Sequence, residues 1–228
     1  MTVTNSVGSS SSQSRRARLA AAATPVLPGP STSAVATGTT VAGDIASVTL
    51  SSAQLRLDVA PLLGGGVTRF DYRGEDGLVP IFRRCRHVAR DTDPNELSCY
   101  PLLPYSNRIG GGQFSFSGRS IDVPLNRDGE PLPIHGDGWL APWQVADTDH
   151  QSVRLTLDRS DGKPYAYRAM QMYTLDGPVL IVTLEIENTG REALPFGLGI
   201  HPFLPRDAGT ELSAAAGGLW RAGDDWLP

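Results

Sequence analysis

The chain is poor in the residues that build crosslinked, metal-clamped or membrane-spanning proteins. It holds two cysteines, Cys85 and Cys99, in 228 residues, too few for a disulfide framework or a four-thiolate zinc site. Lysine is almost missing: Lys163 stands alone, and the other 19 basic residues are arginines. Net charge is -4 and the isoelectric point is about 5.5, so no basic footprint for nucleic acid is expected. No run of about 18 apolar residues occurs, which excludes a spanning helix from the sequence. The histidines are scattered, with no close His-x-His pair beside a glutamate, so a cupin-like metal centre is not expected either. Gly110-Gly111-Gly112 lacks the Lys and Ser/Thr of a phosphate-binding loop. No Gly-x-Ser-x-Gly nucleophile elbow is present.

What remains is a chain with 40% hydrophobic residues, 25 glycines and 18 prolines, enough for a buried core with many turns. Residues 1–44 differ from the rest. Ser, Thr, Ala, Gly and Pro supply 30 of them, and no aromatic precedes Phe70. Such a composition buries too little apolar surface to offset chain entropy, so the segment is expected to be disordered. Arg15, Arg16 and Arg18 before Leu19–Ala23 make only a faint export pattern. A cytoplasmic location is expected. Residues 45–228 are expected to form the folded domain.

From Ile45 the chain reads as short strands between turns. Leu55–Val59, Val67–Tyr72 and Val153–Leu157 alternate apolar and polar residues with period two. Phe114–Phe116 and Ile121–Val123 flank a turn at Ser117-Gly118. Tyr165–Tyr173 and Val179–Ile186 are separated by Leu175-Asp-Gly-Pro178. This spacing, without a convincing helical period, predicts an all-β antiparallel sandwich.

Histidine is the usual acid or base near neutral pH. His135 lies in Pro131-Leu-Pro-Ile-His-Gly-Asp-Gly-Trp139, and His201 in Phe196-Gly-Leu-Gly-Ile-His-Pro-Phe203. Each follows an apolar residue beside Gly or Pro, which predicts a strand end opening into a loop, where scaffolds hold functional side chains. Two histidines capping strand ends on backbone would look the same. His87, in an arginine cluster, and His150, in a polar turn, are expected to be solvated. A third segment, Tyr105-Ser106-Asn107-Arg108, sits among prolines and glycines. An aromatic can cover a sugar's apolar face, and Asn and Arg supply directional donors for its hydroxyls. A tight loop satisfying its own carbonyls is the alternative.

Three motifs in this order resemble those of aldose 1-epimerases, the galactose mutarotases: Pro104-Tyr-Ser-Asn-Arg-Ile109 with Gly-Gln-Phe-Ser-Phe116, Pro133-Ile-His-Gly-Asp-Gly-Trp139 with Pro142-Trp143, and Gly197-Leu-Gly-Ile-His-Pro-Phe203. The resemblance covers roughly residues 45 to 228. It implies a β-sandwich of the galactose-mutarotase type that interconverts the α and β anomers of free aldoses such as glucose and galactose, without cofactor or metal. By resemblance, His201 is the general acid that protonates the ring oxygen and His135 bonds the same region and orients the sugar. Arg108 binds hydroxyls with Asn107 in support. In the family the general base is a glutamate well after the second histidine motif, where a sugar-gripping aspartate also lies. No carboxylate here matches either, and Glu211, Asp224 and Asp225 come too soon. The chain therefore looks truncated relative to the family, and weak or absent catalysis is expected. A sugar-binding sandwich without catalysis is a second reading. A hexose-6-phosphate epimerase, with Arg83, Arg84 and Arg86 converging on the phosphate, is a third. The expected partner is a free aldose, with neither nucleic acid nor membrane involved.

Overall fold

The computed structural model describes residues 2–5, 16–23, 39–42 and 45–211, with 213, 217, 218 and 220–227. Up to Ala46 the description is of the backbone. Fifteen strands follow one another: β1 (Thr2–Asn5), β2 (Arg16–Ala23), β3 (Thr39–Ala42), β4 (Ile45–Ser51), β5 (Leu55–Ala60), β6 (Gly66–Gly74), β7 (Gly77–Pro80), β8 (Cys99–Leu102), β9 (Gln113–Phe116), β10 (Arg119–Asp122), β11 (Gln144–Thr148), β12 (Ser152–Arg159), β13 (Tyr167–Asp176), β14 (Val179–Asn188) and β15 (Gly199–Pro202). The fold is all-β and antiparallel, as the alternation predicts. Among the described residues, no helix is long and apolar enough to cross a membrane.

One sheet runs β1-β2-β14-β13-β12-β11, and the other runs β15-β8-β6-β5-β4-β3 with β7 on β6. β9 and β10 form a separate hairpin. The two sheets close on one core. Leu50, Leu55, Leu57, Val59, Val67 and Phe70 from one face meet Val153, Leu155, Tyr167, Tyr173, Leu175 and Val182 from the other. Strict alternation makes this work, because successive side chains point to opposite faces. β13 alternates buried and exposed or half-buried residues along its whole length. Two of the polar residues inside are well partnered: Gln171 donates to the Gly65 carbonyl at 2.8 Å, and buried Asp71 accepts a fork from Arg84 at 2.9 Å on both oxygens.

The segment expected to be disordered contributes β1, β2 and β3; its remaining residues lie outside the described ones. β2 pairs with β14 from Leu180↔Ala23 to Glu187↔Arg16. The composition argument weighs side-chain burial, whereas a strand is held in its sheet through backbone hydrogen bonds that small residues make as well as large ones.

A second, smaller core lies on the outer face of the β8 region: Ala60, Leu63, Leu97, Tyr100, Leu102, Ile134 and Trp139, with Phe203 against it. β8 is thus buried on both faces. Cys99 faces the main core and Tyr100 the smaller one. The smaller core is the floor on which the candidate site is built.

Candidate active site

β8 and β15 set the first half of the site. Their antiparallel register places His201 directly opposite Tyr100, and residues so paired share a face. The two rings stack at 4.9 Å and 21°. Tyr100 also stacks on Trp139 at 5.0 Å, and Phe203 closes on His201 at 4.7 Å. The imidazole of His201 is therefore one layer of an aromatic wall. Tyr100 is fixed at its far end by a 3.0 Å hydrogen bond between its hydroxyl and the Asn95 side-chain amide.

The loop after β8 sets the other half. A bridge joins Arg108 to Ile134. Beside it, the His135 N–H donates to the Asn107 carbonyl at 2.9 Å, and the Asn107 N–H donates back to His135 Nδ1 at 3.0 Å. Both residues are left-handed, at φ 64 and φ 60. The next residue must be glycine: a Cβ on Gly136 would lie 2.1 Å from the Leu103 carbonyl oxygen. This clasp turns the His135 ring toward His201, with centroids 5.6 Å apart at 69°.

The hydrogen bond fixes the tautomer. Nδ1 of His135 accepts, so the proton of the neutral ring sits on Nε2, free to donate into the site. Burial pushes the His135 pKa down to about 4, helped by His201 and Arg108 and opposed by Glu130. Burial also lowers His201, and the Arg83 charge adds to this. Nδ1 of His201 is buried with no partner among the described residues.

Arg108 completes the group. Its Nη2 donates to Glu130 Oε2 at 2.9 Å, its Cζ lies 5.2 Å from the Trp226 ring, and its Nε is buried and unpartnered. His135, His201, Asn107 and Arg108 thus come together. Tyr105 does not join them: its ring lies 6.0 Å from that of Tyr165, against the main core. His87 and His150 are exposed and apart. The arginine cluster does not converge on a pocket either. Arg83 donates to the Asn95 and Leu97 carbonyls, and Arg84 is spent on Asp71 and the Leu78 carbonyl. Sequence reasoning missed Tyr100, Trp139, Phe203 and Glu130. Of these, only the three aromatics were signalled, by standing next to or within the quoted motifs.

Two cavities of about 470 and 460 Å³ lie elsewhere, one on the outer face of β12–β14 and one beside Asp137 and Tyr165. Neither is lined by a histidine, so residue chemistry rather than volume marks the site. Among the described residues, no group of three or more potential metal ligands is gathered.

A sequence model of the aldose 1-epimerases matches residues 46–228. The chain belongs to the aldose 1-epimerase family. It is 36% identical over 179 residues to the uncharacterized protein YphB of Escherichia coli K12, covering 78% of this chain and 59% of YphB. It is 31% identical over 103 residues to rat galactose mutarotase, covering 43% and 29% of the two chains. A crystal structure of an E. coli K12 protein, described as a candidate aldose 1-epimerase, superposes with a TM-score of 0.72 at 35% identity, covering 79% of this chain and 59% of that one. This aldose 1-epimerase family chain therefore spans about three fifths of the length of such relatives. All four clustered residues fall inside the matched range.

Proposed function

We propose that the chain acts on free hexoses such as galactose and glucose, interconverting their α and β anomers by acid–base ring opening without a cofactor. The observation that carries this reading is the pairing of the two histidines. Their rings lie 5.6 Å apart, beside an arginine and an asparagine whose hydrogen-bonding groups suit sugar hydroxyls.

In the proposed reaction the ring oxygen takes a proton from His201 as the bond between it and the anomeric carbon breaks. The anomeric hydroxyl loses its proton and becomes the aldehyde oxygen. The carbonyl rotates, and the ring closes on its other face with the protons returned. His135, locked with Nε2–H outward, bonds the ring-oxygen region and keeps the sugar oriented. Arg108 and Asn107 hold hydroxyls further round. Positioned proton transfer is typically worth about 10²–10⁴-fold. The anomeric proton passes to water or to a carboxylate outside this cluster.

Polarimetry of fresh α-D-galactose and α-D-glucose, with and without protein, tests the reading. A weak acceleration above the spontaneous rate is expected, and His201→Ala should abolish it. Unchanged mutarotation by His201→Ala would remove His201 from the acid role. The second reading, a sugar binder without catalysis, is favoured by the engagement of the Glu130 carboxylate with Arg108. It predicts calorimetric heat with galactose and no acceleration. The phosphorylated-sugar reading loses its support, since Arg83 and Arg84 already serve carbonyls and Asp71.

A further inference from the structure

Glu130 is the one carboxylate in direct contact with the site cluster among the described residues, and it reaches Arg108 from 22 residues away. Its loop is held on three sides. The Asn126 side chain donates to the Ile134 and Gly136 carbonyls at 2.7 and 2.5 Å. It also accepts from the Ile134 N–H at 2.9 Å. Arg127 bonds Asp93 at 2.6 Å, and its guanidinium lies 5.1 Å from the Trp139 ring. The loop is thus tied to the segment carrying His135 and to the aromatic floor. Glu130 is therefore presented to Arg108 by fixed backbone rather than by a mobile chain.

The pair is sheltered, with side-chain exposures of 18% for Arg108 and 23% for Glu130. At such sites a charge-assisted bond is stronger than at an open surface. The geometry also uses only one edge of the guanidinium. Glu130 takes Nη2 and Trp226 lies 5.2 Å from Cζ. Nε is buried with no acceptor among the described residues. Long side chains lose considerable rotamer freedom when they grip a ligand. An arginine already held at one edge by a carboxylate and flanked by a ring loses less.

We infer that Glu130 is the positioning residue of this site, holding Arg108 in place so that its remaining donors meet the sugar's hydroxyls. The inference rests on the reading that the site takes an aldose. Glu130 acts through Arg108 and does not itself touch the substrate. A second consequence follows from charge. His135 is faced by His201, Arg108 and Glu130, by the Asn107 N–H, and by the uncharged rings of Tyr100 and Trp139. Glu130 is the anion in that set, so removing its charge makes His135 harder to protonate.

The experiment compares wild type, Glu130→Gln, Arg108→Ala and the double variant. Galactose titrations are read by calorimetry, with KM and kcat taken from polarimetry. Glu130→Gln should weaken galactose binding about tenfold, the size of one lost charge-assisted contact, and raise KM more than it lowers kcat. In the Arg108→Ala background the same change should do nothing more. Glu130→Gln that binds like wild type, or that weakens binding equally with and without Arg108, overturns the inference. A separate readout needs no sugar. The Arg108 Nε–H resonance should be sharp in wild type and broadened in Glu130→Gln, and the His135 titration midpoint should fall. If wild type binds neither sugar, the functional reading fails while these two signals still decide for or against the pairing. Unchanged signals refute it.

Discussion

Lowering the pH from 7 to 4 should destabilise this protein well before its carboxylates titrate, and His135 should be a principal cause. Burial lowers its pKa from the ordinary 6.5 to about 4. The folded state therefore binds fewer protons than the unfolded chain between those values. Stability then rises with pH across that window and is lost as pH falls through it. The full separation, at 1.36 kcal/mol per pKa unit, sets a ceiling of about 3.4 kcal/mol. His135 is only half-buried, and solvent screening reduces this to about 1–1.5 kcal/mol. His201 is shifted in the same direction and adds to the slope. The lowered aspartates Asp93, Asp149, Asp158 and Asp207 contribute in the opposite range. Their stabilisation persists above the ordinary carboxylate value and disappears only below it.

The assay is urea unfolding at pH 7, 5.5 and 4 for wild type and His135→Asn. Asparagine tolerates the left-handed backbone at φ 60, and its side-chain oxygen can accept from the Asn107 N–H, so the clasp survives without the titrating ring. Wild type should lose about 1 kcal/mol more than the variant between pH 7 and 4. Equal losses, or a His135 NMR titration midpoint above 6, would refute the reasoning, because the clasp and burial would then not hold the ring neutral.

Three structural predictions accompany this one. Gly136→Ala sets a methyl group against the Leu103 carbonyl oxygen at a left-handed residue, and should cost about 3 kcal/mol or prevent folding, read by thermal unfolding. Tyr167→Phe removes the 2.6 Å bond to Asp137 Oδ1, leaving that carboxylate to Arg159. A loss of about 1–2 kcal/mol is expected in urea, and no loss would show the bond to be idle. Tyr100→Leu removes the layer between Trp139 and His201. It should destabilise by about 2–3 kcal/mol and broaden the His201 ring resonances.

The strands legible in the sequence are those with one face inward. β5, β12 and β13 alternate because the main core lies on one side and solvent or a thinner layer on the other. β8 shows no such pattern. Its residues Cys-Tyr-Pro-Leu are all buried, so both faces are apolar and the period vanishes. β11 is invisible for the opposite reason, being exposed along its length. β15 is four residues long and carries glycine and proline, so the sequence marks only a strand end at His201 and shows no alternation. The site divides along the same line. His135, His201, Asn107 and Arg108 sit in Gly- and Pro-bounded motifs and can be picked out locally. Glu130 cannot, because its role depends on Asn126 folding a loop back across 22 residues.

The backbone offers an independent mark of function. Among the described residues, four non-glycine residues hold a left-handed φ: Asn107, Ser117, His135 and Trp226. Ser117 lies in the tight turn of the β9–β10 hairpin, where such a conformation is ordinary. The other three gather at Arg108: Asn107 precedes it, His135 follows its bridge partner Ile134, and Trp226 lies over its guanidinium. Each costs about 1–3 kcal/mol in a side chain not suited to it, and persists only when neighbours over-determine it. Asn107 and His135 supply that constraint to each other through two hydrogen bonds. Only the bond from the His135 N–H to the Asn107 carbonyl would form between glycines; the other needs the His135 ring. What the strained version adds at residue 135 is an imidazole, held by the Asn107 N–H with its ring centroid 5.6 Å from that of His201. Packing alone does not require that arrangement, since the smaller core beneath is already closed by Tyr100, Trp139 and Ile134. Two of the strained residues, Asn107 and His135, are among those that the proposed function selects on chemical grounds.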